Sequence, residues 1–157
     1  MPSPYKTCSY LPYPLRLPDG SRKIIRLPLV VIGLYFQDDP NEGYDSIALI
    51  DSGSMVTLST KEDADGISLQ YMKDKDEKLI KTPVQGAGGD FECNVAVVRK
   101  LDVKKGMNAF TTFRDLPVRV PNERGMLPYS ILGRDSIFKR FDIAFYEGRK
   151  KMAFTFA

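Results

Sequence analysis

Apolar positions along the chain fall into short runs, alternating with polar residues or briefly continuous, and turn formers break them every ~8 to 15 residues. The first twenty residues carry prolines at 2, 4, 12, 14 and 18 among Tyr5, Tyr10 and Tyr13, which favours extended backbone and blocks helix. Asp19-Gly20 signals a turn, and Ser21 to Tyr35 (SRKIIRLPLVVIGLY) reads as strand interrupted at Pro28, so a hairpin is the simplest organisation. The polar cluster DDPNEGYD at 38–45 turns the chain back into a densely apolar strand, Ser46 to Asp51. Beyond the glycine-rich VQGAGG at 84–89, Phe91 to Arg99 (FECNVAVVR) and Pro117 to Val120 read as further strands. A helical pattern arises over 134–140 (RDSIFKR), with Asp135 and Ser136 suited to its first turn. The closing FDIAFYEGRKKMAFTFA predicts two aromatic-rich strands around a Glu147-Gly148 turn, with Met152, Phe154 and Phe156 on one face. The prediction is an all-β, mostly antiparallel domain with one short C-terminal helix, residues 21–157, preceded by a proline-rich arm over 1–20.

A chain of 157 residues fits one domain, and 43% hydrophobic with 27% charged residues is a globular composition. No window reaches the apolar length of a membrane span, and MPSPYKTCSY lacks the basic-then-apolar order of a secretory signal, so a cytoplasmic location is expected. Cys8 and Cys93 match no paired-cysteine motif and read as isolated thiols. The absence of histidine removes Ser-His and Cys-His nucleophile pairs and every imidazole metal ligand. The segment 38–49 is not a calcium loop, because Pro40 and Leu49 stand where ligands belong, so no metal and no cofactor are expected. A net charge of +3, with lysines alternating with acids over 73–78, describes a solvated edge rather than a nucleic-acid stripe.

The chemistry concentrates at Ala48 to Val56, ALIDSGSMV, where an apolar strand delivers Asp51 and a glycine follows between two hydroxyls. Asp51 alone could be an ordinary turn former. Two facing carboxylates can instead divide the work of amide hydrolysis, one charged and one protonated, since like charges in contact force their pKa values apart. No other Asp-Ser-Gly or Asp-Thr-Gly occurs in the chain, so the second carboxylate would come from a second copy across a two-fold axis.

ALIDSGS resembles the strand and catalytic turn of the retropepsin-like, retroviral-type aspartic proteases. About eighty residues later, Ser130-Ile131-Leu132-Gly133-Arg134-Asp135 resembles that family's second signature, and VQGAGG lies between them where the family's flap would fall. The resemblance covers about residues 24 to 156. It implies a closed or partly closed acid-protease β-barrel with a glycine-rich flap, a homodimer, and a polypeptide substrate without nucleic acid or membrane. By the same resemblance Asp51 activates water, Ser52 reaches across the axis, and Gly53 gives a backbone N–H to the carboxylate. Ser54 would donate to a carboxylate and shift activity toward acid. Gln85, Gly86, Ala87, Gly88 and Gly89 would form the flap over substrate. Ile131, Leu132 and Gly133 would pack beneath the turn, Arg134 would tie the helix into the subunit or its interface, and Asp135 would add structural support to the site. Phe91, Met126, Leu127 and Ile131 would line subsites or belong to the core. The final KMAFTF would either interleave with its copy or form an intrachain edge strand. The same fold without effective catalysis, as a peptide-binding or assembly domain, is the alternative function, and a small monomeric β regulator is a third.

Overall fold

The computed structural model describes residues 4–86 and 89–157. The strands are β1 (Lys6–Ser9), β2 (Leu11–Arg16), β3 (Arg22–Leu27), β4 (Leu29–Tyr35) and β5 (Gly43–Ile50). A helix α1 (Lys61–Gly66) follows, then β6 (Lys81–Gly86), β7 (Gly89–Lys105), β8 (Asn108–Pro121) and β9 (Ser130–Leu132). Helix α2 (Ile137–Arg140), β10 (Phe141–Tyr146) and β11 (Lys151–Phe156) complete the chain. No helix among the described residues is long and apolar enough to cross a membrane.

These strands form three sheets, ordered β1-β11-β10, β2-β3, and β6-β7-β4-β5-β9 with β8 paired to β7. The expected closed or partly closed barrel is therefore incorrect, since no sheet returns on itself. Between β8 and β9 the chain supplies a single bridging residue, Leu58, where closure would need a strand. After Leu58 the Ser59 hydroxyl donates to the Thr60 carbonyl and the Thr60 hydroxyl caps α1, so the chain turns into the helix after one bridging residue.

The expectation of one short helix is also corrected. Helix α1 forms from the polar sequence KEDADG because Thr60 caps it, its hydroxyl accepting from Asp63 N–H at 3.0 Å. Helix α2 is shorter than expected, because 134–136 are a turn before it.

Strands β7 and β8 extend well beyond the runs the sequence suggested, pairing from Cys93↔Pro121 to Lys105↔Asn108 with one irregularity at Val103/Lys104. The leader joins the body. β1 pairs with β11, and Cys8 and Tyr10 enter the core. β2 and β3 make the hairpin around Asp19-Gly20. Pro12 and Pro14, two residues apart, turn their missing N–H groups to the same side, which β2 tolerates because it has a neighbour on one side only. The C-terminal strand β11 lies between β1 and β10, so it is a central strand rather than an edge. Phe110, Phe141 and Phe154 pack together at this end of a core that also holds Ile32, Ile50, Val98 and Leu132.

Candidate active site

Strand β5 buries Ile50 and leaves the partly exposed Asp51 at its end. Asp51 N–H donates to the Leu132 carbonyl at 3.1 Å, and Ser54 N–H donates to the Asp51 carbonyl at 3.2 Å, closing a tight turn. Gly53 N–H donates to Asp51 Oδ1 at 2.8 Å, so the carboxylate is held by its own loop. Ser52 and Gly53 are exposed, and the Ser52 hydroxyl has no hydrogen-bond partner among the described residues. Ser54 departs from expectation. Its hydroxyl donates to the Val56 carbonyl at 2.7 Å rather than to a carboxylate, which removes the basis for the acid shift.

Beneath the turn, β9 runs parallel to β5 with Ile50 opposite Leu132, so the two signature segments are neighbours. Gly133 meets the turn at closest approach. A Cβ there would lie 2.7 Å from the Ser54 carbonyl oxygen and closer still to that of Val56. Arg134 N–H donates to the Ser54 carbonyl at 2.8 Å, and its Nε–H donates to the Ser52 carbonyl at 2.7 Å. Asp135 accepts from the Thr57 hydroxyl at 2.6 Å.

Thr57 itself escaped the sequence reading. It is fully buried, and its Oγ1 lies 2.6 Å from both Asp135 Oδ1 and Ser136 Oγ and 3.4 Å from the Gly133 nitrogen, which donates to it. A second buried group is Asp63 on α1. It accepts from the hydroxyls of Tyr44 at 3.2 Å, Ser46 at 3.0 Å and Ser130 at 2.9 Å, pinning β9 to β5 through a carboxylate. Neither residue carries a sequence signal beyond being a hydroxyl or acid in a polar stretch.

A cleft of about 670 Å³ opens beside the turn. Residues 53–56 form one wall, residues 82–85 of β6 form the other, and Arg119 of β8 contributes between them. The β6–β7 hairpin pairs antiparallel up to Gln85↔Asp90 and Gly86↔Gly89, and Ala87 and Gly88 lie outside the described residues. Gln85 lines the cleft, whereas Phe91 lines a separate hollow on the hairpin with Lys81 and Glu92. Met126, Leu127 and Ile131 are not among the residues lining the cleft.

Tyr129 sits near this turn and packs edge-on to Tyr13, with ring centroids 5.4 Å apart. Burial, then Tyr13 and the Asp51 charge, push its phenol above the ordinary value. Burial likewise raises the Cys93 thiol to about 11, against an opposing pull from the Arg119 charge. Among the described residues no three histidine, cysteine or acidic side chains group as metal ligands.

No protein-family model matches this chain, and no curated protein matches it. Among solved structures it is similar to a retropepsin-like aspartic protease from Rickettsia conorii, at 16% identity over 96% of this chain and 95% of that one, with a TM-score of 0.46. A superposition that loose carries no weight for the chemistry.

Proposed function

We propose that the chain is an aspartic endopeptidase that hydrolyses peptide bonds in an extended polypeptide, with a water activated between two Asp51 carboxylates contributed by two copies. The observation that carries this reading is the bracing of Asp51. Its turn is fixed by bonds from Gly53 and to Leu132 and pressed against Gly133, and the turn's Gly53 and Ser54, though not Asp51 itself, line a cleft walled by a hairpin. An acid that served only its own turn would not need support from a segment eighty residues away.

In this mechanism the charged Asp51 takes a proton from water as the water attacks the scissile carbonyl carbon, and the protonated Asp51 gives its proton to the carbonyl oxygen. The single acid of one chain is half of that pair, and two-fold symmetry completes it. In this mechanism Ser52, which is exposed at the turn, bonds the opposite turn through its hydroxyl. Gly53 and Ser54 hold the loop. Ile131, Leu132, Gly133, Arg134 and Asp135 act as positioning residues. The β6–β7 hairpin, reaching Gln85 and Gly86 in the described residues, closes over the peptide, donates backbone bonds and excludes water.

The test is cleavage of an unbiased peptide library from about pH 3 to 8, the range over which a carboxylate pair titrates, by the wild-type protein and by Asp51→Asn. Cleavage that disappears in Asp51→Asn is the expected result. Cleavage that survives in Asp51→Asn sinks the mechanism, and peptide retention without cleavage favours a binding domain of the same fold.

A further inference from the structure

The cleft's lining carries one charged side chain, Arg119, among residues that are otherwise neutral. Its backbone is clamped, with Arg119 N–H donating to the Thr57 carbonyl and Ser59 N–H donating to the Arg119 carbonyl, both at 3.0 Å. The same Thr57 braces the segment under the Asp51 turn, so the base of the arginine is held in fixed register with that turn. Arg119 is partly buried, yet its guanidinium is absent from the ion pairs found among the described residues.

The Arg119 guanidinium is partly buried at the cleft and has no ion-pair partner among the described residues, and its planar fork suits a carboxylate. We propose that Arg119 is a specificity-determining residue that binds a carboxylate of the peptide held in the cleft. That carboxylate is an Asp or Glu side chain or the peptide's C-terminal group. Charge drives the preference, so salt weakens it. The inference rests on the protease reading only for the peptide nature of the ligand.

The experiment passes a randomised peptide library over immobilised Asp51→Asn protein and sequences the retained peptides. The best retained peptides are then resynthesised with Gln and Asn for Glu and Asp, and separately with an amidated C-terminus. We expect retained peptides to be enriched in acids or free C-termini, and one of the two neutralised versions to bind about tenfold or more weakly, as for a lost charge-assisted bond. Whichever version loses binding identifies the source of the carboxylate. Arg119→Met should abolish the discrimination and Arg119→Glu should reverse it toward lysine and arginine, with native circular dichroism in both. No retention, retention indifferent to both neutralisations, or discrimination that persists in a folded Arg119→Met each overturns the proposal. Cleavage of the same library by wild-type protein reads the other claim separately. Charge-selective retention without cleavage leaves Arg119 its role and removes the protease, whereas cleavage without charge selectivity does the reverse.

Discussion

Gly133→Ala adds one methyl group to the place where the two signature segments touch. The new Cβ would stand 2.7 Å from the Ser54 carbonyl oxygen and closer to that of Val56, whereas real Cβ contacts stay beyond 3.0 Å. The Ser54 carbonyl must then retreat by at least 0.3 Å, the difference between 3.0 and 2.7 Å, and Val56 must move farther. Both obstacles are backbone, so no side-chain rotation relieves them. Ser54 O accepts from Arg134 N–H, and Val56 O accepts from the Ser54 hydroxyl, so the shift weakens two bonds at once. Two bonds at about 0.5 to 1.5 kcal/mol each, with overpacking of about 1 to 3 kcal/mol, give a destabilisation of roughly 2 to 6 kcal/mol. For a chain of this size that lowers the thermal midpoint by roughly 4 to 24 °C. On the proposed mechanism activity should fall further than stability explains, because the displaced backbone belongs to the loop that holds Asp51. The assay is urea unfolding followed by circular dichroism, with Gly148→Ala as control, because a Cβ at 148 meets nothing within 4 Å. Equal midpoints for Gly133→Ala and Gly148→Ala would refute the claim that position 133 braces the turn.

Thr57→Val keeps the shape but removes the buried hydroxyl that Asp135 and Ser136 use, and should cost about 1 to 3 kcal/mol, while Thr57→Ser retains most of it. Chemical denaturation of the three proteins measures this, and a Val variant as stable as wild type contradicts it. At alkaline pH the fold should weaken through its tyrosines. Burial and the Glu147 bond raise Tyr10 to about 12, and the Asp102 bond with burial raises Tyr35 to about 12, from an ordinary 10.0. Both favour the neutral form in the folded state, so their stabilisation is complete below pH 10 and is lost as pH rises toward 12. A pH series of unfolding midpoints should fall in that window and become shallower in Tyr10→Phe with Tyr35→Phe, the remainder coming from groups such as the Cys93 thiol, raised to about 11; an unchanged slope in the double variant counts against this. Removing residues 1–10 strips β1 from β11 and empties the places of Cys8 and Tyr10, so the truncated chain should lose cooperative unfolding. A truncated protein with the wild-type midpoint would show the leader to be dispensable.

The acid at the end of β5 was legible because period and composition both change there: a buried apolar run stops at Ile50 and a glycine follows within three residues. The neighbouring segment 130–135 was legible as a second motif, but its contact with the turn depends on the parallel pairing of β5 and β9, which no local pattern encodes. Thr57 and Asp63 were not legible, since their importance lies in partners far along the chain, Asp135, Tyr44 and Ser130 among them. Helix α1 was hidden by an almost wholly polar sequence whose helicity rests on the Thr60 cap. The lengths of β7 and β8 were underestimated where Lys100, Asp102 and Lys104 alternate with Leu101 and Val103, a strand pattern that charge disguised as loop. Barrel closure failed as an expectation because it depends on whether the stretch around Leu58 becomes a strand, and one bridging residue is what it supplies. Arg119 carries no sequence signal beyond lying in the predicted strand Pro117 to Val120, and the cleft is what distinguishes it.

The central claim is that two copies share one catalytic centre, and subunit mixing tests it most directly. Wild-type protein is mixed in rising proportion with Asp51→Asn protein at constant total concentration, allowed to exchange, and assayed on a peptide that the wild type cleaves. Random pairing with inactive mixed dimers predicts activity that falls as the square of the wild-type fraction, about a quarter at equal mixing. A linear fall, to about half at equal mixing, would mean that each chain acts alone and would contradict the account.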